Sequence, residues 1–142
     1  MNFKIIVISI ILYLITRKSM FSSKYFKLNE FESKDGAKMP ESVKSNLNEL
    51  AKNLDIIREH INEPIYINSG YRSPEHNLNI GGAKNSYHMK GLAADIRTKN
   101  YTPLQLKMIV EKLINEGKIK QGGIGLYSNF LHYDIRGFKS RW

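Results

Sequence analysis

Four histidines, thirteen acidic residues and no cysteine bound the chemistry open to this 142-residue chain. Disulfides, thiolate metal sites and a cysteine nucleophile are excluded. A metal ion would have to be held by His, Asp or Glu. The densest polar run is Ser86-Tyr87-His88-Met89-Lys90-Gly91-Leu92-Ala93-Ala94-Asp95. A turn at Met89-Lys90-Gly91 predicts that His88 and Asp95 meet across neighbouring strands. A neutral imidazole and a carboxylate are good Zn²⁺ ligands. His132 is the natural third, because alternation over residues 131–136 puts His132, Asp134 and Arg136 on one strand face. Three protein ligands with a fourth position left to water make the open, catalytic type of zinc centre, which acidifies water and polarises a carbonyl. Spacing alone leaves a second reading open, in which the histidines are structural and Asp95 closes a turn. His60, at a helix end, and His76, on a helix surface, read as structural.

These residues need a scaffold, and the apolar pattern supplies one. Val43, Leu47, Leu50, Leu54, Ile57 and Ile61 recur at steps of four and three, so residues 41–62 read as an amphipathic helix opened by Pro40. Residues 65–67 form a short strand candidate, stopped by Asn68-Ser69-Gly70. Ser73-Pro74-Glu75 reads as the cap and first turn of a short helix that Gly81-Gly82 closes. Leu92, Ala94 and Ile96 alternate with Ala93, Asp95 and Arg97, which is a strand. A second long helix runs from a Thr102 cap and Pro103 to Gly117, with Leu106, Ile109, Val110 and Leu113 inward. Residues 124–135 read as two strands joined near Ser128-Asn129. The expected fold is α+β, a small antiparallel sheet packed against helices.

Composition fits one globular domain, with 42% hydrophobic and 25% charged residues. The net charge of +9 favours polyanionic surroundings: nucleic acid, anionic lipid or cell-wall polymers. There is no nucleotide-binding glycine loop and no serine nucleophile elbow. No nucleic-acid partner is expected. Residues 5–15 read IIVISIILYLI, with Lys4 before them and Arg17-Lys18 after. That run is short of the roughly 20 residues that span a bilayer, but it fits the apolar core of a signal peptide or uncleaved signal anchor. Residues 1–19 are therefore set apart as such a segment, with membrane contact through residues 3–16. A second reading makes them an upstream extension, with Met20 as the start. Residues 20–142 form the folded domain.

The pattern Ser86-x-His88-x-x-Gly91-x-Ala93-x-Asp95, followed by His132-x-Asp134, resembles the zinc D-Ala-D-Ala carboxypeptidases of peptidase family M15. Ser69-Gly70-Tyr71-Arg72-Ser73-Pro74, Gly82-Ala83-Lys84-Asn85 and Phe26-Lys27-Leu28-Asn29-Glu30-Phe31 extend the resemblance over about residues 25–137. It points to the small single-domain branch of phage endolysins and bacterial wall enzymes, with a hedgehog/D-Ala-D-Ala-peptidase-like fold. It implies that His88, Asp95 and His132 bind Zn²⁺. It implies that Arg72, at the site mouth, donates to the substrate carbonyl or carboxylate and stabilises the tetrahedral intermediate. Gly91 and Ala93 would keep space around the metal, and Ser86 would bond the local backbone or orient a ligand. Many relatives carry an acidic residue three positions before the last His; here that position is Asn129. Asp134 is then the nearest candidate for the general base, or it orients a neighbour; Glu75 and His76 are weaker candidates. The implied function is a zinc metallopeptidase, endo- or carboxypeptidase, acting on peptidoglycan stems or cross-bridges. It would be exported or membrane-anchored, or phage-encoded and directed at a host wall. The competing expectation is a zinc-bearing wall-binding or virion structural module that has lost catalysis.

Overall fold

The structure is a computed structural model that describes residues 4–8 and 20–142. The segment expected to be a signal or anchor, residues 1–19, lies mostly outside the described residues. Among the described residues no helix is long and apolar enough to cross a membrane.

Helix α1 spans Glu41–Ile61, entered through Pro40 and left through Asn62 in the left-handed conformation, φ 53°. Its whole apolar stripe, Val43 to Ile61, is buried. Each large side chain so covered contributes about 1.5–3 kcal/mol. Strand β1, Tyr66–Ser69, starts one residue later than the apolar run suggests, because Ile65 enters the core ahead of the ladder. Helix α2, Pro74–Asn79, is capped by the Ser73 side chain, which accepts from His76 N. Strand β2 is Ala93–Arg97 and helix α3 Pro103–Asn115. Thr102 and Gln105 close a reciprocal capping box on α3. Its buried side holds Leu106, Val110, Leu113 and Ile114; Ile109, expected inside, only packs against the core edge.

Strands β3, Gly123–Leu126, and β4, Leu131–Asp134, form the expected hairpin, and β5 is Ser140–Arg141. The sheet order is β1-β2-β4-β3-β5. The sheet is mixed rather than antiparallel throughout, since β5 runs parallel to β3. Two residues carry no readable alternation. Strand β5 is instead fixed by its ladder and by Arg141, whose guanidinium forks onto both carboxylate oxygens of Glu111 on α3 and bonds the Gly122 carbonyl.

One face of the sheet is core. Ala94, Ile96, Ile124, Leu131 and Tyr133 meet the stripes of α1 and α3 there. Period-two alternation then forces Asp95, His132 and Asp134 onto the opposite face. Loops cover that face as well, so these polar side chains are buried too.

Candidate metal centre

Strand register assembles the site. Ser69 pairs with Asp95, Asp95 with His132, and His132 with Gly125, giving one row across four strands. Cross-strand partners project from the same face, close enough to touch.

His88 joins this row from elsewhere. It does not lie on a strand opposite β2, as expected, but on a 3-10 turn, Tyr87–Lys90. Ser86 caps that turn by accepting from His88 N at 3.3 Å. Gly91 ends it at φ +70°. The tight turn leaves no room for a paired hairpin arm before β2 begins. Gly91 is needed for helix packing rather than for space around a metal. A Cβ there would lie 2.7 Å from the Val43 side chain and carbonyl.

Three atoms converge. His132 Nδ1 is 2.9 Å from Asp95 Oδ1, and His88 Nε2 is 3.2 Å from both. A tetrahedral ion with bonds of about 2.0–2.1 Å needs edges of about 3.3 Å between its ligand atoms. The outer nitrogens are each satisfied by an acceptor. His88 Nδ1 donates to the Gly70 carbonyl at 2.7 Å, and His132 Nε2 donates to Asp134 Oδ2 at 2.8 Å. Those acceptors place the ring protons outward, so both inner nitrogens present lone pairs. Two lone pairs and a carboxylate oxygen at this separation repel unless a cation lies among them. The group could hold a metal ion, and its two imidazoles and one carboxylate are a donor set suited to Zn²⁺. The field around His132 has the same sign. Burial alone would lower its pKa, yet the flanking Asp134 and Asp95 carboxylates draw it above the ordinary value.

Asp134 is fully buried. It accepts from His132, from Gly123 N at 2.9 Å, and from Nε and Nη2 of Arg136 at 2.8 and 2.7 Å. Burial by itself raises its pKa, but the hydrogen bonds from His132 and Arg136 outweigh it and hold the carboxyl well below the usual range. Both oxygens are thus occupied behind the His132 ring, which is the geometry of an orienting partner rather than of a base facing substrate.

Arg72 is brought to the centre, though not freely. Its Nη2 donates to Asp95 Oδ2 at 2.8 Å and its Nε to Ser69 Oγ at 2.9 Å. The next residue anchors this loop. Ser73 N donates to Ser33 Oγ, and Ser73 Oγ to Asp35. Hydrogen bonds from Ser33, Ser73 and Ala37 N hold Asp35 at about 2, against an ordinary value of 3.8. A carboxyl whose pKa is lower in the folded state stabilises above its unfolded pKa, and that contribution is lost as pH falls through the folded one. Asp35→Asn is therefore expected to flatten the fall in thermal midpoint between about pH 4 and pH 2. Melting curves of both proteins across that interval check it, and parallel curves would remove Asp35 from the anchor.

A cavity of about 520 Å³ opens over the three converging atoms. Tyr87, Tyr127, Phe130, Arg136 and Trp142 line it, together with residues of the loop 81–86. Asp95 is the sole carboxylate among the described residues lining it. Asn129 is exposed in the β3–β4 turn, and Glu75 and His76 lie on α2; none of the three reaches the cavity. Phe130 and Trp142 carried no spacing signal. Arg136 did, since sequence alternation groups it with His132 and Asp134, although β4 itself ends at Asp134.

A family model described as Peptidase M15 matches residues 21–134, most of the chain. The chain belongs to the peptidase M15 family. Two relatives are similar to parts of the chain. The chain is 40% identical over 80 residues to the probable peptidoglycan L,D-endopeptidase MepK of Haemophilus influenzae, covering 51% of this chain and 40% of that one. It is 56% identical over 34 residues to the zinc D-Ala-D-Ala carboxypeptidase of Streptomyces albus G, covering 24% of this chain and 13% of the relative. Both matches span less than half of the relative's length. His88, Asp95 and His132 all fall within the M15 match, whereas Arg136 and Trp142 lie beyond it.

Proposed function

We propose that this chain is a zinc-dependent peptidase that hydrolyses peptide bonds in peptidoglycan. The observation that carries the reading is the convergence of His88 Nε2, Asp95 Oδ1 and His132 Nδ1 beneath an open cavity, each ring steered by an acceptor on its outer nitrogen. Membership of the M15 family supports peptidase chemistry, and the two relatives' names support a wall peptide as the substrate class.

His88, Asp95 and His132 are assigned as the ligands. Zn²⁺ held by them supplies Lewis-acid activation of water and of the scissile carbonyl. Gly70 and Asp134 keep the two rings in the tautomer that points a lone pair inward. Arg72 neutralises Asp95 and offers the rest of its fork to the substrate carbonyl, where a fixed cation stabilises the negative charge that develops during attack. Asp134 is assigned to orientation, not to proton transfer. The basic surface favours adsorption to an anionic wall. Export or anchoring through residues 1–19 would deliver the 20–142 domain there.

A second reading, a zinc-bearing wall-binding module without turnover, is favoured by one observation: Asp95, itself a ligand, is the sole carboxylate lining the cavity. One assay separates the two. Purified protein is analysed for metal and incubated with peptidoglycan, and new amino groups are counted before chelation, after chelation and after Zn²⁺ re-addition. One Zn²⁺ per chain with release that chelation stops and Zn²⁺ restores is the expected result. One Zn²⁺ with no release on any wall substrate supports the binding module, and no bound metal overturns both.

A further inference from the structure

The wall of the cavity is built as carefully as its floor, and Trp142 is the residue on which that construction converges. Four contacts fix it. Its backbone continues the β3–β5 ladder, with Trp142 N donating to the Ile124 carbonyl and Leu126 N to the Trp142 carbonyl. Its indole N–H donates to Tyr127 Oη at 3.0 Å. Its ring lies 5.1 Å from the His132 ring, tilted by 47°. The Arg136 guanidinium sits 5.4 Å from the Trp142 ring centroid and also stacks on Tyr87 at 4.3 Å.

The sequence makes room for this ring. Gly125 is the register partner of His132, so a side chain there would project over the same face. A Cβ at Gly125 would meet the indole at 2.6 Å. The space that residue 125 leaves beside the metal ligand is therefore filled by Trp142. Meanwhile Arg141 ties the strand to Glu111 on α3 and to the Gly122 carbonyl, which keeps the indole from swinging away.

Held this firmly, Trp142 is still 49% exposed, and it lines the cavity. Tyr127, which it bonds, is stacked on Phe130 at 4.4 Å, so the aromatic surface is continuous. A large, rigid apolar face left open beside a reactive centre is a binding surface rather than core. We propose that Trp142 forms a substrate subsite that packs the aliphatic part of the peptide residue next to the scissile bond. This assignment rests on the wall-peptidase reading above and adds a specificity-determining residue to it. The ligand it takes is apolar in its contact, a methyl or methylene stem, because the indole's one donor is already given to Tyr127.

The test uses the full chain loaded with Zn²⁺ and soluble cross-linked muropeptides as the probe. Trp142→Ala is expected to raise KM about tenfold, the scale of a lost apolar contact, with kcat within about threefold. Trp142→Phe is expected to recover most of the loss. A lower kcat at unchanged KM, or wild-type kinetics in Trp142→Ala, overturns the subsite. Fluorescence gives a second readout in the unmutated protein, since Trp142 is the only tryptophan in the chain. Muropeptide addition is expected to shift its emission to the blue as water leaves the ring, and unchanged emission at saturating muropeptide overturns the proposal. A blue shift without cleavage would support the subsite while overturning the peptidase reading.

Discussion

His132→Ala is expected to abolish chelator-sensitive release of amino groups from peptidoglycan while the domain stays folded. Loss of an outer-shell partner alone typically costs about 10–100-fold in metal affinity or activity. Loss of a ligand atom must cost more, because Asp95 and His88 are left as a two-point site. The fold should survive. His132 lies on the face of the sheet away from the helices, and the core residues Leu131 and Tyr133 on either side are untouched. Asp134 keeps Arg136 and Gly123 N as donors after the ring is gone. The stability loss should then be of the order of one buried hydrogen bond, about 1–3 kcal/mol. Metal content, hydrolysis rate and a thermal melt on the same preparation check all three points. Full activity in this variant would remove His132 from the ligand set.

Asp134 substitutions are expected to separate orientation from proton transfer. Asp134→Asn keeps an oxygen that can accept from His132 Nε2, but it removes the charge that pairs with Arg136. Zn²⁺ affinity should fall about 10–100-fold, and activity should return at saturating Zn²⁺. Asp134→Ala leaves the largely buried Arg136 guanidinium without its partner, and breaking such a pair costs about 3–5 kcal/mol. That variant should melt well below the wild type even when metal is plentiful. Competition with a chromophoric chelator gives the affinity, and thermal unfolding gives the stability. If Asp134→Asn bound Zn²⁺ normally and lost kcat at every Zn²⁺ concentration, the residue would be the base after all.

The sequence carried the local half of this molecule. Helix α1 was legible because Val43 to Ile61 repeat at helical spacing, and α3 because Thr102, Pro103 and Gly117 punctuate it. Strand β4 was legible because two faces alternate, and that alternation alone groups His132, Asp134 and Arg136. Strand β5 was not legible, because two residues have no period and their anchor, Arg141 on Glu111, spans 30 positions. The 3-10 turn that carries His88 is not legible for a related reason. Ser86 and Gly91 signal a cap and a stop, but the close approach of Gly91 to Val43 on α1 spans 48 positions and has no local signal.

What the amino-acid order determined by itself was the kind of chemistry: no thiol, few histidines, and imidazole and carboxylate groups at strand and turn positions that suit a metal. Those are properties of residue type and short-range period, and both can be read along the chain. Which atom of each ligand points inward, that Asp134 stands behind His132 rather than before it, and that Trp142 fills the space beside Gly125 were decided only in three dimensions. Each depends on strand register and on hydrogen bonds between residues far apart in sequence, where a shift of one position turns every side chain to the other face.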